Sequence, residues 1–110
     1  MTERARILVV AATARELASP DGWLTLQCGV GPVEAAARTA AAIATLRPAA
    51  ILQVGIAGAR RARALAPASL VIGADARYCD SNVPAEWAPS VVQAPATLLH
   101  AVQHALPHAP

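Results

Sequence analysis

The chain has no lysine and no phenylalanine, and its nine basic residues are all arginine. Without lysine there is neither a phosphate-gripping P-loop lysine nor a Schiff-base lysine, which removes two large classes of site chemistry. Aromatic residues make up 3% and charged residues 15% of the 110 positions, so a core must be built from Leu, Val, Ile, Ala and two Trp. A formal net charge of +2 is too small to argue for a nucleic-acid partner. Cysteine is also scarce: Cys28 and Cys79 stand far apart with no CxxC spacing, which predicts two reduced, partly buried thiols and no metal finger. The apolar runs, including the one that follows Met1–Arg6, are too short for a signal peptide or a membrane span. The expectation is one soluble, cytoplasmic domain over 1–110, with no membrane partner.

What is present reads as an α/β pattern. Ile7–Val10 is a continuous apolar run suited to a strand buried on both faces. Thr13–Leu17 reads as a helical turn opened by a Thr-x-x-Glu capping box, and Ser19–Gly22 as a turn by composition. Leu24, Leu26 and Cys28 alternate with Trp23, Thr25 and Gln27, which predicts a second strand. Gly31 followed by Pro32 is a helix entrance, and an alanine-rich helix runs from there to Leu46, with Val33, Ile43 and Leu46 as its larger anchors and Glu34–Arg38 as an i,i+4 pair. Pro48 stops it. Ile51–Val54 forms the third strand, Leu70–Ile72 a fourth, and Thr97–Leu106 a last helix, while the order weakens after Val83. The strands near 6–10, 23–28, 50–54 and 68–73 are expected to share one mostly parallel sheet flanked by helices.

The stretch Gln53-Val54-Gly55-Ile56-Ala57-Gly58 organises the functional reading. A strand that ends in a Gly-x-x-Gly turn exposes backbone N–H groups at the carboxyl end of a sheet, where open α/β folds bind ligands. Glu16 has two readings, a capping-box glutamate tied back to the backbone of Thr13 and a carboxylate at the exit of the first strand that holds water for attack. Gly29-Val30-Gly31 fails as a dinucleotide fingerprint, because the third small position falls on Glu34 and the motif follows the second strand. His100, His104 and His108 have ligand-like spacing, but Pro107 ends the helix before the third, so helix-dipole and solvent roles explain them. Arg60, Arg61 and Arg63 read as a solvated loop, and Cys79 has no adjacent base to activate it.

Three segments, 7–17, 29–37 and 48–83, together resemble the amino-terminal half of the nucleoside phosphorylase superfamily on its nucleosidase side. Val54-Gly-Ile-Ala-Gly followed by Leu70-Val-Ile and Ala76-Arg-Tyr-Cys-Asp-Ser-Asn-Val is similar to 5′-methylthioadenosine/S-adenosylhomocysteine nucleosidases and to futalosine hydrolase. The resemblance implies part of a three-layer αβα fold, and a place in purine salvage or menaquinone biosynthesis. It further implies hydrolysis of the N-glycosidic bond of a purine-type nucleoside, with no cofactor and no metal. Glu16 would be catalytic, and Gly29, Val30, Gly31, Ile56, Ala57, Gly58 and Val83 would bind substrate. Phosphorylases of this kind hold phosphate with arginines and a serine, where this chain has Glu16, Gln53 and Ile56; a carboxylate repels that anion, which favours water as nucleophile.

The family's ribose-gripping Met-Glu pair and base-protonating aspartate belong to a carboxyl-terminal half beyond the last helix, so the domain is expected to be partial. Half a domain leaves sheet edge and apolar surface uncovered, which predicts a homo-oligomer. Two competing readings stand beside the nucleosidase: a non-catalytic remnant or interaction protein of the same fold, and a flavodoxin-type nucleotide-binding module argued from the α/β pattern alone.

Overall fold

The structure, a computed structural model, describes residues 6–17, 22–80 and 82–110. Of the turn expected at 19–22, all but Gly22 lies outside them. The chain forms a small α/β fold that divides into two compact units, Met1–Gly58 and Ala59–Pro110.

The first unit is a three-stranded parallel sheet with one long helix. Strands β1 (Ile7–Ala11), β2 (Leu24–Gln27) and β3 (Ala50–Gln53) lie in the order β2-β1-β3. Leu8 pairs with Leu24 and Ile51, and Val10 with Leu26 and Gln53, so these positions share one face. Backbone bonds carry the ladder past the strand ends: the Cys28 N–H donates to the Ala11 carbonyl (2.8 Å) and the Val54 N–H to the Val10 carbonyl (2.9 Å). Leu8, Val10 and Cys28 form the buried cluster, and Leu24, Leu26, Ala35 and Ala42 pack against it.

Helix α1 (Pro32–Leu46) begins as its sequence predicts, with Gly31 as N-cap and proline in the first turn. It ends at Arg47, whose left-handed backbone (φ 47°) lets its N–H reach the Ile43 carbonyl at 2.9 Å before Pro48 breaks the pattern. The larger residues do not anchor it. Val33 is 80% exposed, and Ile43 and Leu46 are also open to solvent, while Ala35 and Ala42 meet the sheet. Small side chains let the helix approach closely, and the face chosen for approach excludes the bulky positions.

The second unit differs from expectation in its strands. Leu70–Ile72 carries no ladder; the Ile72 N–H instead donates to the Pro110 carbonyl at 2.7 Å. The strands are β4 (Asp75–Arg77) and β5 (Val91–Gln93), an antiparallel pair in which Ala76 faces Val92. An apolar triplet becomes a strand only where a partner supplies hydrogen bonds, and here the partner falls beside 75–77. Asp75 holds the Arg77 guanidinium at 3.1 Å, on the same side of the strand. Helix α2 spans Ala96–Ala105 and stops before Pro107, so His100 and His104 lie on it and His108 does not. Cys28 is buried, but Cys79 is exposed, because β4 ends before it in a turn without a core beneath. Among the described residues no helix is long and apolar enough to cross a membrane.

Candidate functional site

Parallel pairing puts the carboxyl ends of β1, β2 and β3 at one edge of the first unit's sheet. The segments that leave that edge carry Glu16, Gly29–Gly31 and Ile56–Gly58 respectively. Strand order alone therefore brings seven of the eight residues singled out by sequence to one side of the sheet. The eighth, Val83, belongs to the second unit.

Glu16 closes a short 3-10 turn, Ala14–Glu16, whose preceding residue Thr13 has extended backbone. Only the glutamate half of the expected capping box forms, Glu16 to the Thr13 amide, since the Thr13 hydroxyl caps no backbone N–H. It donates instead to Glu16 Oε1 at 2.7 Å. The other carboxylate oxygen, Oε2, accepts the Ile56 N–H at 3.0 Å, across 40 residues of sequence. The Thr13 hydroxyl, the Ile56 amide and, to a lesser degree, the Thr13 amide hold the Glu16 pKa below its ordinary value, against a small opposing effect of desolvation. The carboxylate stays ionised at neutral pH. An ionised carboxylate offers about four acceptor positions, so these bonds leave it room to accept from a further donor.

The glycines at this edge serve different ends. Gly29 (φ 87°) and Gly31 (φ 94°) occupy left-handed backbone that a side chain would strain, and a Cβ on Gly29 would press to 3.2 Å from the Glu34 Cβ. Gly55 lies outside the left-handed region, yet a Cβ there would stand 2.7 Å from Glu16 Oε2. Around Gly58 there is open space. Val30 is exposed, and Ile56 is 91% exposed, so its side chain is free of the core while its N–H is engaged. The sequence marks Gly55 only as the first glycine of the turn. Its steric tie to Glu16 is a long-range fact that no local spacing carries.

Elsewhere, the second unit has a shallow, mostly apolar depression of about 500 Å³ lined by Leu65, Ser69, Leu70, Leu106, His108 and Pro110 among others. Its lining has no Asp, Glu or Cys side chain, and its one hydroxyl, Ser69, donates to the Ala66 carbonyl at 2.6 Å, so it is a poorer candidate for chemistry than the strand ends. Among the described residues no group of three or more His, Cys, Asp or Glu is placed to hold a metal ion.

A family model described as the phosphorylase superfamily matches residues 23–109. The chain belongs to the phosphorylase superfamily. That match takes in β2, α1, β3, the Gly55–Gly58 turn and Val83, while Glu16 and Thr13 lie just ahead of it. No curated protein and no solved structure matches the chain. Superfamily membership agrees with the parallel α/β sheet of the first unit.

Proposed function

We propose that this phosphorylase-superfamily chain is a cytoplasmic nucleosidase-type member that hydrolyses the N-glycosidic bond of a purine-type nucleoside, of the methylthioadenosine, adenosylhomocysteine or futalosine class. One observation carries the choice of water over phosphate: Glu16 Oε2 already accepts the Ile56 N–H. The strand-end amide that would serve an anion is taken by an internal carboxylate, and the negative charge there repels phosphate. Glu16 orients a water toward the anomeric carbon as the bond to the base lengthens through an oxocarbenium-like transition state. Protonation of the leaving base is a separate task on the opposite face. Gly29, Val30, Gly31, Ile56, Ala57 and Gly58 line the nucleoside in this reading, with the left-handed Gly31 letting backbone approach the ligand.

Glu16→Gln tests it. The amide cannot take up the proton, so hydrolysis should fall by about 100 to 10,000-fold while nucleoside affinity by calorimetry stays within a few-fold. Free-base release from methylthioadenosine, adenosylhomocysteine and futalosine is the assay, run with and without phosphate. A variant as fast as wild type, or cleavage that requires phosphate, would overturn the proposal.

A second reading, an interaction protein of the same fold, draws on the exposed apolar side chains, Val33 and Ile43 on α1 and Trp87, which is 78% exposed. Both readings expect self-association. Sedimentation velocity should show a concentration-dependent shift above the monomer, and a clean monomer at high concentration would contradict it.

A further inference from the structure

Resting on the hydrolytic reading of Glu16, we infer that Thr13 and Gly55 are positioning residues that fix the plane of the Glu16 carboxylate, Thr13 through its hydroxyl and Gly55 by leaving the space the carboxylate occupies. A carboxylate at the end of a flexible side chain turns freely unless both oxygens are held. Here each oxygen has its own donor, the Thr13 hydroxyl on Oε1 at 2.7 Å and the Ile56 N–H on Oε2 at 3.0 Å. The two donors come from different segments, one beside the 3-10 turn after β1 and one beyond β3. Holding a reacting group to within a fraction of an ångström is where much of a site's rate advantage arises.

Gly55 supplies the clearance. Its backbone lies outside the left-handed region, so conformation does not explain the glycine. A Cβ would approach Glu16 Oε2 to 2.7 Å and Cδ to 3.8 Å, closer to the oxygen than side-chain carbons come to other atoms. Any larger residue pushes the carboxylate off the Ile56 N–H. A cap would satisfy only amides of its own turn, whereas this carboxylate, besides accepting from the Thr13 amide, reaches across to the neighbouring strand's exit.

The experiment compares wild type, Thr13→Val, Thr13→Ser and Gly55→Ala in the full chain by two readouts: NMR titration of the Glu16 carboxyl, and kcat and KM for nucleoside hydrolysis. Thr13→Val and Gly55→Ala should each raise the Glu16 pKa toward its ordinary range and lower kcat by up to about 100-fold at nearly constant KM. Thr13→Ser keeps the hydroxyl and should retain both the lowered pKa and the rate. An unchanged Glu16 titration in Thr13→Val and Gly55→Ala would sink the hold on Glu16 even in an active enzyme. A raised pKa with normal kcat would sink the positioning role. Shifted titrations in the variants, with no hydrolysis by wild type, would instead sink the hydrolytic reading and leave the hold on the carboxylate standing.

Discussion

The two units are built from similar amounts of apolar sequence, yet among the described residues only the first has a buried core. Among the described residues, the buried hydrophobic ones, Leu8, Val9, Val10, Ala11 and Cys28, belong to the first unit. In the second, Leu70, Val71, Tyr78, Val83, Trp87 and Val92 remain exposed. The difference lies in geometry rather than in hydrophobicity. β1 is flanked on both sides by parallel partners and shares a helix with them, so its side chains lose water on every side. The second unit's strands are three residues each and pair only with one another, so their ladder orders backbone without enclosing side chains. Backbone pairing makes a strand, but a core needs a layer on top.

That contrast is most sharply tested by truncating one leucine in each unit. Leu8 is fully buried, whereas Leu70 is 58% exposed. Leu8→Ala should cost about 2–5 kcal/mol through lost transfer energy and a residual cavity. Leu70→Ala should cost less than ~1 kcal/mol, because little of that surface leaves water on folding. Urea unfolding followed by circular dichroism measures both. Equal losses would show that the second unit is covered in solution by something that buries Leu70, and would erase the distinction.

Glycines of the first unit give a second, smaller test. Gly31 combines φ 94° with ψ 156°, a region nearly confined to glycine, at the entrance of the helix that covers the core. Gly31→Ala should cost about 1–3 kcal/mol. Gly58→Ala has open space and ordinary φ, and should stay within about 0.5 kcal/mol. If the two variants melt alike, the helix entrance is not what holds the first unit's layers together.

How much of this was legible in the sequence divides along the same line. β1, β2, α1 and β3 follow from apolar runs, period-two alternation and the Gly31-Pro32 entrance, since each is signalled by neighbours within a few residues. Which stripe of α1 meets the sheet is not so signalled. With alanine on every side, the choice falls to the small Ala35 and Ala42, and Val33 is left outside. The strand expected at 70–72 failed because a triplet of apolar residues states a propensity and not a partner. The nearby ladder went to 75–77 and 91–93, where Asp75 and Arg77 pair across one face. At the site, the Thr13–Glu16 spacing correctly tied the glutamate to the backbone of Thr13, but the Thr13 hydroxyl also turns to the carboxylate where a capping box would turn it to an amide. The tie from Glu16 to Ile56 closes over 40 residues and needed the fold to be seen.

The smallest effect expected is also specific to the first unit. The Glu16 pKa is lowered in the folded chain by the Thr13 hydroxyl and the Ile56 amide. The unfolded chain therefore binds a proton more readily than the folded one, and stability depends on pH only where the two differ. The contribution is fully present above the unfolded value of ~4.3 and is lost as pH falls through the lower folded value. Glu16→Gln has no proton to bind at this position and should lack that portion of the acid limb. Unfolding midpoints for wild type and variant should therefore differ by a constant amount from neutral pH down to about 5 and converge below it. Each unit has one tryptophan, Trp23 in the first and Trp87 in the second, so single-tryptophan chains can report the units separately. The convergence should be read by Trp23, because Glu16 ties the exits of β1 and β3 in that unit. If Trp87 alone reported it, or if the difference were the same at every pH, the Glu16 bonds would not be those that stabilise the sheet edge.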